Sequence, residues 1–348
     1  MLAIDLAFAI SNILLKKIVN EGMDHLVFIT YRQSISALFL SPLAYFLERR
    51  SRPKLTPTIL CHLFLSAIIG ASLTQYLFLL GIEFTSATFS CAFLNMVPVV
   101  TFLMALPFGL ETVNLRHRSG VAKVAGAVVC LGGAILLTLY KGMPLIHKSV
   151  EQFQPNSSLG GERWAVGSVA LFAGTLLWSS WFLLQSNIAK KYPCQYSTTA
   201  IMTCFSAIQS AILFFSIDRN KFSSSWALTT SDVLIVIYAG MVGSGLCFVG
   251  MSWCVKKKGP VFTAAFSPLV QIMAAAIDVP VLHEQLHLGS LIGSVTVMVG
   301  LYILLWGKDK EIQNQGIQLV QQPEGLKEPE PQFQVLKVIS VETERPQA

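Results

Sequence analysis

AGAVVCLGGAILL, residues 125–137, is the stretch that decides the fold of this chain. It carries no charge and belongs to an apolar run of about 20 residues, the length that crosses a hydrocarbon layer roughly 30 Å thick. A second version, IGSVTVMVGLYILL, follows at residues 292–305. Both versions space their glycines alike: Gly126 and Gly133, Gly293 and Gly300. The repetition indicates two copies of one membrane-spanning unit whose glycines permit close helix packing.

The composition of the whole chain agrees with a membrane protein. Apolar residues make up 53% of the chain and charged residues 13%, against roughly 25% charged residues in soluble domains. No stretch interleaves basic and aromatic residues on a polar surface, so nucleic acid is not an expected partner. The seven cysteines show no CxxC spacing, which argues against a disulfide or zinc framework. The expected surroundings are therefore a lipid bilayer.

Charges and turn residues divide the chain into ten apolar runs, which we interpret as membrane spans. After the last run the composition becomes rich in Glu, Gln, Pro and Lys, which is typical of a disordered tail. The predicted spans are Leu2–Val19, Leu26–Leu47, Ile59–Ile82, Ser86–Phe108, Val121–Leu139, Trp164–Ile188, Thr198–Ile217, Val233–Cys254, Pro260–Leu282 and Leu288–Trp306.

Each half of the chain holds five predicted spans, an odd number, so the second copy must enter the membrane from the opposite side. Pro98 in the fourth span matches Pro268 in the ninth, which supports the pairing of the halves. We predict an all-α membrane protein with a 5+5 inverted repeat, as in many secondary transporters. The predicted units are a first repeat (1–140), an extracytoplasmic loop (141–163), a second repeat (164–307) and a disordered cytosolic tail (308–348).

The distribution of Lys and Arg predicts the orientation. With a cytosolic N-terminus, 14 of the basic residues near the spans lie on the cytosolic side and 7 on the other. Because basic residues accumulate in cytosolic loops, both termini are predicted to be cytosolic. The sequon at Asn156, a glycosylation candidate, falls in a loop that this topology places outside.

Several stretches resemble a known family. They are TYRQ (30–33), LERRSRPKLT (47–56), FTSATFSCAFLNMVPVVTF (84–102), TLYKG (138–142), WSSWFLLQ (178–185), KKYPCQYS (190–197), KKKGPVFTAAFSPL (256–269), GSLIGSV (289–295) and LYILLWGK (301–308). In these residues the chain resembles the plant nodulin-like branch of the drug/metabolite transporter superfamily. That branch is built from two EamA-type domains and includes the "usually multiple acids move in and out" and "walls are thin" proteins.

The resemblance implies a function that the spacing of residues does not. It implies transport of amino acids or related small metabolites, including auxin, often as export. It also implies residence in the plasma membrane or the vacuolar membrane. Two departures stand out: Asp5 occupies a position where the family typically has Gln, and DVPVLHEQ (278–285) replaces an apolar run that ends in Gly-Glu.

Polar residues within the spans are candidates for the path of a solute, because polar groups in hydrocarbon usually face a cavity or a partner helix. Arg32 is suited to hold a carboxylate through two parallel hydrogen bonds. Its alternative role is to reach the interface and pair with nearby acids. The remaining path candidates are the amides Asn12, Gln75, Asn95, Gln185 and Gln271, which otherwise serve as interhelical bonds, and Trp178 and Trp181, which otherwise serve as structural anchors.

Three further features have alternatives of their own. Pro98 and Pro268 each remove a helix hydrogen bond, which predicts hinges or kinks made for packing. Asp5 and Asp278 are candidates for a proton relay, since carboxylates are rare in membrane spans. His283, Glu284 and His287 match H-E-x-x-H, the pattern of zinc proteases, but Pro280 and Gly289 flank it at a predicted turn. We therefore assign no metal site and no cofactor.

The sequence as a whole predicts a secondary transporter or facilitator that works by alternating access on a small-molecule solute. It is not predicted to be an enzyme. The alternatives are a receptor or scaffold that has kept the fold without transport, and an intramembrane zinc metalloprotease. The number of subunits does not follow from the sequence.

Overall fold

The computed structural model describes residues 1–20, 24–50, 52–85, 87–111, 117–139, 159–217, 230–282 and 288–321. Within these ranges the chain forms ten helices and no strand. They are α1 (Leu2–Asn20), α2 (His25–Glu48), α3 (Pro57–Ser66, Ala67–Ser72 and Leu73–Phe84), α4 (Ala87–Ala105), α5 (Arg118–Leu139), α6 (Leu159–Lys191), α7 (Gln195–Ile217), α8 (Thr230–Tyr238, Ala239–Leu246 and Cys247–Lys258), α9 (Pro260–Ala264 and Ser267–Leu282) and α10 (Leu288–Gln321).

Length and composition qualify some of these helices as membrane spans. Among the described residues, five are long and apolar enough to cross a bilayer: His25–Glu48, Pro57–Phe84, Glu162–Lys191, Gln195–Ser216 and Val233–Lys258. Helix starts follow local capping rules. The Asp24 carboxylate accepts from Leu26 N at 2.9 Å at the start of α2, and Thr56 caps α3 ahead of Pro57. The all-α membrane fold with a 5+5 repeat is confirmed.

The two repeats meet through equivalent helices. The second helices of the repeats, α2 and α7, pack on each other, and so do the fifth helices, α5 and α10. The middle of α8 packs against α2, while the middle of α3 packs against α7. Each repeat therefore places its second helix against the third helix of the other repeat, as a pseudo-twofold arrangement requires.

Glycines bring α5 and α10 into backbone contact. A methyl group added to Gly126 would lie 2.5 Å from Leu304 N, and one added to Gly300 would lie 2.5 Å from Cys130 N. At Gly133 the distance to Val297 N would be 2.8 Å. The predicted role of these glycines in close packing is confirmed at these three positions. We call this contact the glycine seam.

A buried group of ion pairs closes one end of the glycine seam. Lys123 of α5 donates to Glu111 Oε2 at 3.0 Å and also pairs with Glu311 of α10. Lys308 of α10 pairs with the other oxygen of Glu111. Lys123 and Glu111 are buried, and each of their charges has a partner of opposite sign. This end of the bundle, where α5 begins and α10 leaves, is called the terminal end below.

Three predicted boundaries differ from the structure. The tenth span was predicted to end at Trp306, but α10 continues to Gln321, because Lys308 and Glu311 bind partners near α5. The prediction of a disordered tail is therefore wrong for residues 308–321, whereas 322–348 lie outside the described residues. Helix α6 begins at Leu159, within the predicted loop 141–163. Helix α4 ends at Ala105 because a turn containing Gly109, with a φ of 63°, follows.

Candidate functional site

Helices α3 and α8 each change to a wider π-helical turn in the middle of the membrane. The segments are Ala67–Ser72 in α3 and Ala239–Leu246 in α8. Gly70 and Gly240 within them each precede the matched prolines Pro98 and Pro268 by 28 residues. The two segments therefore occupy equivalent positions in the repeats. Such insertions often lie at functional sites, because they leave backbone groups without the regular helical partners.

The segment in α3 finds partners for its polar side chains. Ser72 Oγ lies 2.8 Å from Ser206 Oγ and 3.0 Å from Gln209 Oε1 on α7. A methyl group on Gly70 would collide with the Trp181 indole, which therefore fills the notch that this glycine leaves. The first π-helical segment is thus closed by side chains of the second repeat.

The segment in α8 lies beside Arg32. The Arg32 side chain is buried at 6% exposure, and its Nε has no hydrogen-bond partner. A methyl group on Gly243 would lie 3.3 Å from Arg32 Nη2 and 2.8 Å from Ser11 Oγ, so the guanidinium lies against α8 at the level of Ser11. Among the described residues no carboxylate pairs with Arg32. Its burial therefore places the guanidinium inside the bundle, beside α8.

Further polar atoms near Arg32 also lack partners. The hydroxyls of Ser36 and Ser244 are fully buried and unbonded within the described structure, as is Gln33 Oε1. A methyl group on Gly245 would lie 3.6 Å from Ser36 Oγ. Gln33 Nε2 reaches Ala71 O, in the other π-helical segment, at 3.5 Å. Arg32, Gln33, Ser36 and Ser244 are called the polar cluster below.

Sequence reasoning found only Arg32 of this cluster. The signal that it overlooked is AGMVGSGL at residues 239–246, a glycine-rich interruption in the middle of an apolar span. In transporters built from two repeats, apolar segments interrupted by glycine or proline at corresponding positions are the sequence feature that best predicts the binding site. Ser36 follows Arg32 by one helical turn and therefore shares its face of α2.

The predicted path amides fall into three groups. Gln185 is buried and donates to Ser252 Oγ at 2.7 Å, while its Oε1 is unpartnered in the described structure. Gln75 is half-buried with an unbonded Oε1, and Asn95 is buried on α4. The side chains of Asn12 and Gln271 lie outside the described residues. The interhelical role is thus observed for one nitrogen of Gln185, and the oxygens of Gln75 and Gln185 stay open.

An aromatic cluster fills the centre of the bundle. Trp178 stacks on Trp181 with ring centroids 5.0 Å apart, and both rings meet Phe248 of α8 edge-on. Trp181 Nε1 donates to the Met202 sulfur at 3.4 Å. The ring centroid of Phe8, on α1, lies 6.3 Å from that of Phe248. The two tryptophans therefore lie among helices of both repeats, with the Trp181 indole against Gly70 of α3.

The two matched prolines behave differently. Helix α4 continues through Pro98, and hydroxyls of α6 bond to its carbonyls: Thr175 Oγ1 lies 3.4 Å from Phe93 O and Ser179 Oγ 3.5 Å from Val97 O. Helix α9 instead breaks after Ala264 and resumes at Ser267, which places Pro268 in the first turn of the new segment. Proline is tolerated there because the first helical N–H groups have no intrahelical acceptor.

Polar contacts close the terminal end between α2, α7 and α8. The Glu48 carboxylate accepts from Tyr196 N at 2.9 Å and Ser197 N at 2.8 Å, at the start of α7. Arg52 donates to Ser197 Oγ at 2.9 Å, and Lys256 of α8 donates to Pro193 O at 3.0 Å. Burial raises the pKa of the Cys194 thiol in the same loop. We call this set of contacts the terminal latch.

Several predicted features cannot be placed. Asn156, together with His283, Glu284 and His287 of the H-E-x-x-H pattern, lies outside the described residues. The same holds for the side chain of Asp278. Asp5, by contrast, is described: it is buried at 4% exposure in α1, and its Oδ2 has no partner in the described structure.

Comparisons with known proteins bear on the fold and the family. The profile of the EamA-like transporter family matches residues 1–139 and 165–306. A WAT1-related protein of Arabidopsis thaliana is 48% identical over 88% of this chain and 86% of its own length. A second WAT1-related protein from the same plant is 47% identical over 88% of this chain and 85% of the relative. The structure of this chain also resembles a solved crystal structure, with a TM-score of 0.64. The similar region covers 88% of this chain and 96% of the other. Because the two sequences are only 15% identical, this similarity shows the fold alone.

Proposed function

The chain belongs to the EamA-like transporter family, and from this premise we propose that it carries amino acids or related small carboxylate metabolites, auxin among them, across a membrane. The observation that carries the proposal is the unpaired, buried guanidinium of Arg32 beside the π-helical segment of α8. A cation without a counter-ion is costly in a low-dielectric interior, so a solute that brings a carboxylate relieves that cost.

The surroundings of Arg32 favour a small solute with several hydrogen-bonding groups. Beside the guanidinium, the hydroxyls of Ser36 and Ser244 and the oxygen of Gln33 offer donors and acceptors that no described residue uses, while the open oxygens of Gln75 and Gln185 lie on α3 and α6. We infer that the solute carboxylate binds the guanidinium through two parallel hydrogen bonds, the geometry that Arg provides and Lys does not. The amides and hydroxyls then bind the rest of the solute.

We further infer a transport cycle of alternating access. In this proposal the terminal latch and the aromatic cluster are the contacts that separate the polar cluster from the terminal end. A rearrangement at the two π-helical segments, aided by Pro98 and the break before Pro268, would open the path at the terminal end. It would close the path at the opposite end of the bundle. With both termini in the cytosol, as the basic residues favour, the terminal latch is the cytosolic gate. The plasma membrane is the proposed location, with the vacuolar membrane as the alternative, and the proposed direction is export.

The test is release of a labelled amino-acid mixture from loaded oocytes that express the wild type, Arg32→Ala or Arg32→Lys. A hydrogen bond to a charged group contributes about 1.5–3 kcal/mol, so Arg32→Ala should lower release at limiting solute by about tenfold to 100-fold. Arg32→Lys should keep part of the release, because the positive charge remains while the paired N–H donors of the guanidinium are lost. Arg163→Ala, which removes an exposed arginine at the start of α6, is the matched control.

Each result has a separate meaning once surface expression is equalised. Release by the wild type that Arg32→Ala leaves unchanged would retain the transporter and reject Arg32 as the carboxylate contact. Absence of release above water-injected oocytes would count against amino-acid export and favour the receptor or scaffold alternative, with auxin as the next solute to test.

A further inference from the structure

The terminal end of the bundle carries many exposed cations. Helices α2, α6 and α8 end there and α3 begins there, beside the contacts of the terminal latch. Among the described residues of the segments 43–66, 186–199 and 250–266, Glu48 is the only acid. The exposed basic residues of these segments are Arg49, Arg50, Arg52, Lys54, Lys190, Lys191, Lys256, Lys257 and Lys258. We call this set the basic face.

Packing brings the basic residues of α2 and α8 together. Ala44 of α2 and Val249 of α8 belong to one buried cluster, to which α7 also contributes. Arg49 follows Ala44 by five residues and Lys256 follows Val249 by seven. At the rise of a helix these cations lie about 8 and 11 Å beyond the shared cluster, which is nearly the same level. The ends of α2 and α8 therefore present their positive charges side by side.

Two cations of the basic face bind neutral acceptors. Arg52 donates to the Ser197 hydroxyl at 2.9 Å, and Lys256 donates to the Pro193 carbonyl at 3.0 Å. The carboxylate of Glu48, the acid of this region, accepts from two backbone N–H groups at the start of α7. A hydrogen bond from a cation to a phosphate oxygen is stronger than one to a neutral oxygen. The basic face can therefore hold phosphate groups more tightly than its present acceptors.

Exposed apolar side chains lie directly beneath the basic face. Phe46 of α2 is 79% exposed and precedes Arg49 by three residues. Trp253 of α8 is 54% exposed and precedes Lys256 by three residues. Aromatic side chains at this level are typical of the boundary between hydrocarbon and headgroups. A lipid whose acyl chain contacts Phe46 or Trp253 therefore has its headgroup at the level of the cations.

We propose that the basic face binds the headgroups of anionic phospholipids, with the acyl chains against the exposed apolar side chains of α2 and α8. The ligand needs both parts, a negative phosphate for the cations and apolar chains for the belt beneath them. Basic residues near spans also orient a chain, but orientation depends on their number in the loops and not on their convergence on one face. With the terminal end in the cytosol, the basic face meets the leaflet that carries anionic lipids.

The first test measures energy transfer from tryptophan to dansyl-labelled phosphatidylglycerol bound to the purified full-length protein in micelles of a non-ionic detergent. Trp253 lies one turn from the basic face, so a probe bound there accepts its energy. Unlabelled phosphatidylglycerol should displace the probe at a concentration at least tenfold lower than phosphatidylcholine, whose headgroup has no net charge. Displacement by both lipids at equal concentrations would overturn the proposal. Displacement by excess inorganic phosphate would also overturn it, since the surface would then bind free anions.

The second test locates the lipid with a variant that combines Arg50→Gln, Lys54→Gln, Lys257→Gln and Lys258→Gln, all exposed and outside the terminal latch. Each basic residue near an anionic surface contributes about fivefold to binding, so this variant should bind phosphatidylglycerol at least tenfold more weakly. The matched control exchanges Arg for Lys and Lys for Arg at the same positions, keeps every charge and should bind as the wild type does.

Size-exclusion chromatography of the neutral variant and the control checks that both are folded. Binding of phosphatidylglycerol to the folded neutral variant with wild-type affinity would place the lipid elsewhere and overturn the assignment to the basic face. The readout is lipid binding, so its result is independent of whether the proposed solute is transported.

Discussion

The glycine seam between α5 and α10 and the contact between α2 and α8 both join the two repeats, but they treat polar groups in opposite ways. At the glycine seam the backbones touch, and the buried charges of Lys123 and Glu111 have partners. At the contact of α2 with α8, the Arg32 guanidinium and the Ser36 and Ser244 hydroxyls have no partner in the described structure. Both contacts include glycines, so glycine content does not distinguish them.

The difference separates a contact whose polar groups are satisfied from one whose polar groups remain open. In hydrocarbon an unsatisfied polar group costs several kcal/mol, so a contact selected for stability alone would satisfy or remove it. The glycine seam does so. The polar cluster keeps its bonding capacity open, which a site needs if it is to bind a solute and then release it.

The largest effect is expected at the glycine seam. Gly126→Leu places a side chain where even a methyl group would lie 2.5 Å from Leu304 N, so the helices must separate. Overpacking costs about 1–3 kcal/mol where neighbouring side chains can shift, but here the obstacle is the backbone of α10, so the cost should exceed that of a broken buried ion pair and little folded protein should reach the membrane. Gly132→Leu is the matched control, since Gly132 is exposed on the same helix with nothing within 4 Å of an added methyl group.

Fluorescence-detected size-exclusion chromatography of the two glycine variants measures the folded fraction. Equal yields of Gly126→Leu and Gly132→Leu would mean that the glycine seam is not a close contact.

A smaller loss is expected where the glycine seam compensates its charges. Lys123→Met keeps the length of the side chain and removes the cation shared by Glu111 and Glu311. Breaking a buried ion pair by removing one partner costs about 3–5 kcal/mol, so the melting temperature in detergent should fall by several degrees. Lys257→Met, at an exposed position of α8, should leave it unchanged. A melting temperature that does not move in Lys123→Met would show that the ion pairs contribute nothing to stability.

The smallest effect on stability is expected in the polar cluster. Ser36→Ala removes a buried hydroxyl that has no partner, so the free energy of unfolding should stay constant or rise by up to about 1 kcal/mol. Transport should nevertheless fall about threefold to tenfold, the value of one hydrogen bond to the solute. Thr175→Ala, which removes a hydroxyl bonded to Leu171 O and Phe93 O, should reverse the pattern and destabilise more than it slows transport.

Thermal melting and solute release are measured on both hydroxyl variants. A loss of stability in Ser36→Ala as large as that in Thr175→Ala would remove the distinction between the two contacts.

Much of the fold could be predicted because membrane spans are a local property. A run of apolar residues long enough to cross hydrocarbon must form a helix, since no water is present to bond its backbone. The boundaries were wrong where distant residues intervene: α10 extends to Gln321 because Lys308 and Glu311 bind groups near α5. Arg32 could be predicted as a candidate because an arginine inside a span is rare. Ser36 and Ser244 could not, since a serine in a span usually bonds to its own helix.

The sequence by itself determined the all-α membrane fold and its 5+5 repeat, because hydrophobicity and glycine spacing act along one chain. The tertiary structure alone decided which polar groups have partners. Gln185 bonds to Ser252, 67 residues away, and Lys123 pairs with Glu311, whereas Arg32 lies against α8 without a counter-ion in the described structure. Whether a buried polar group is satisfied depends on atoms from distant helices that meet only after folding, and no spacing along the chain records that.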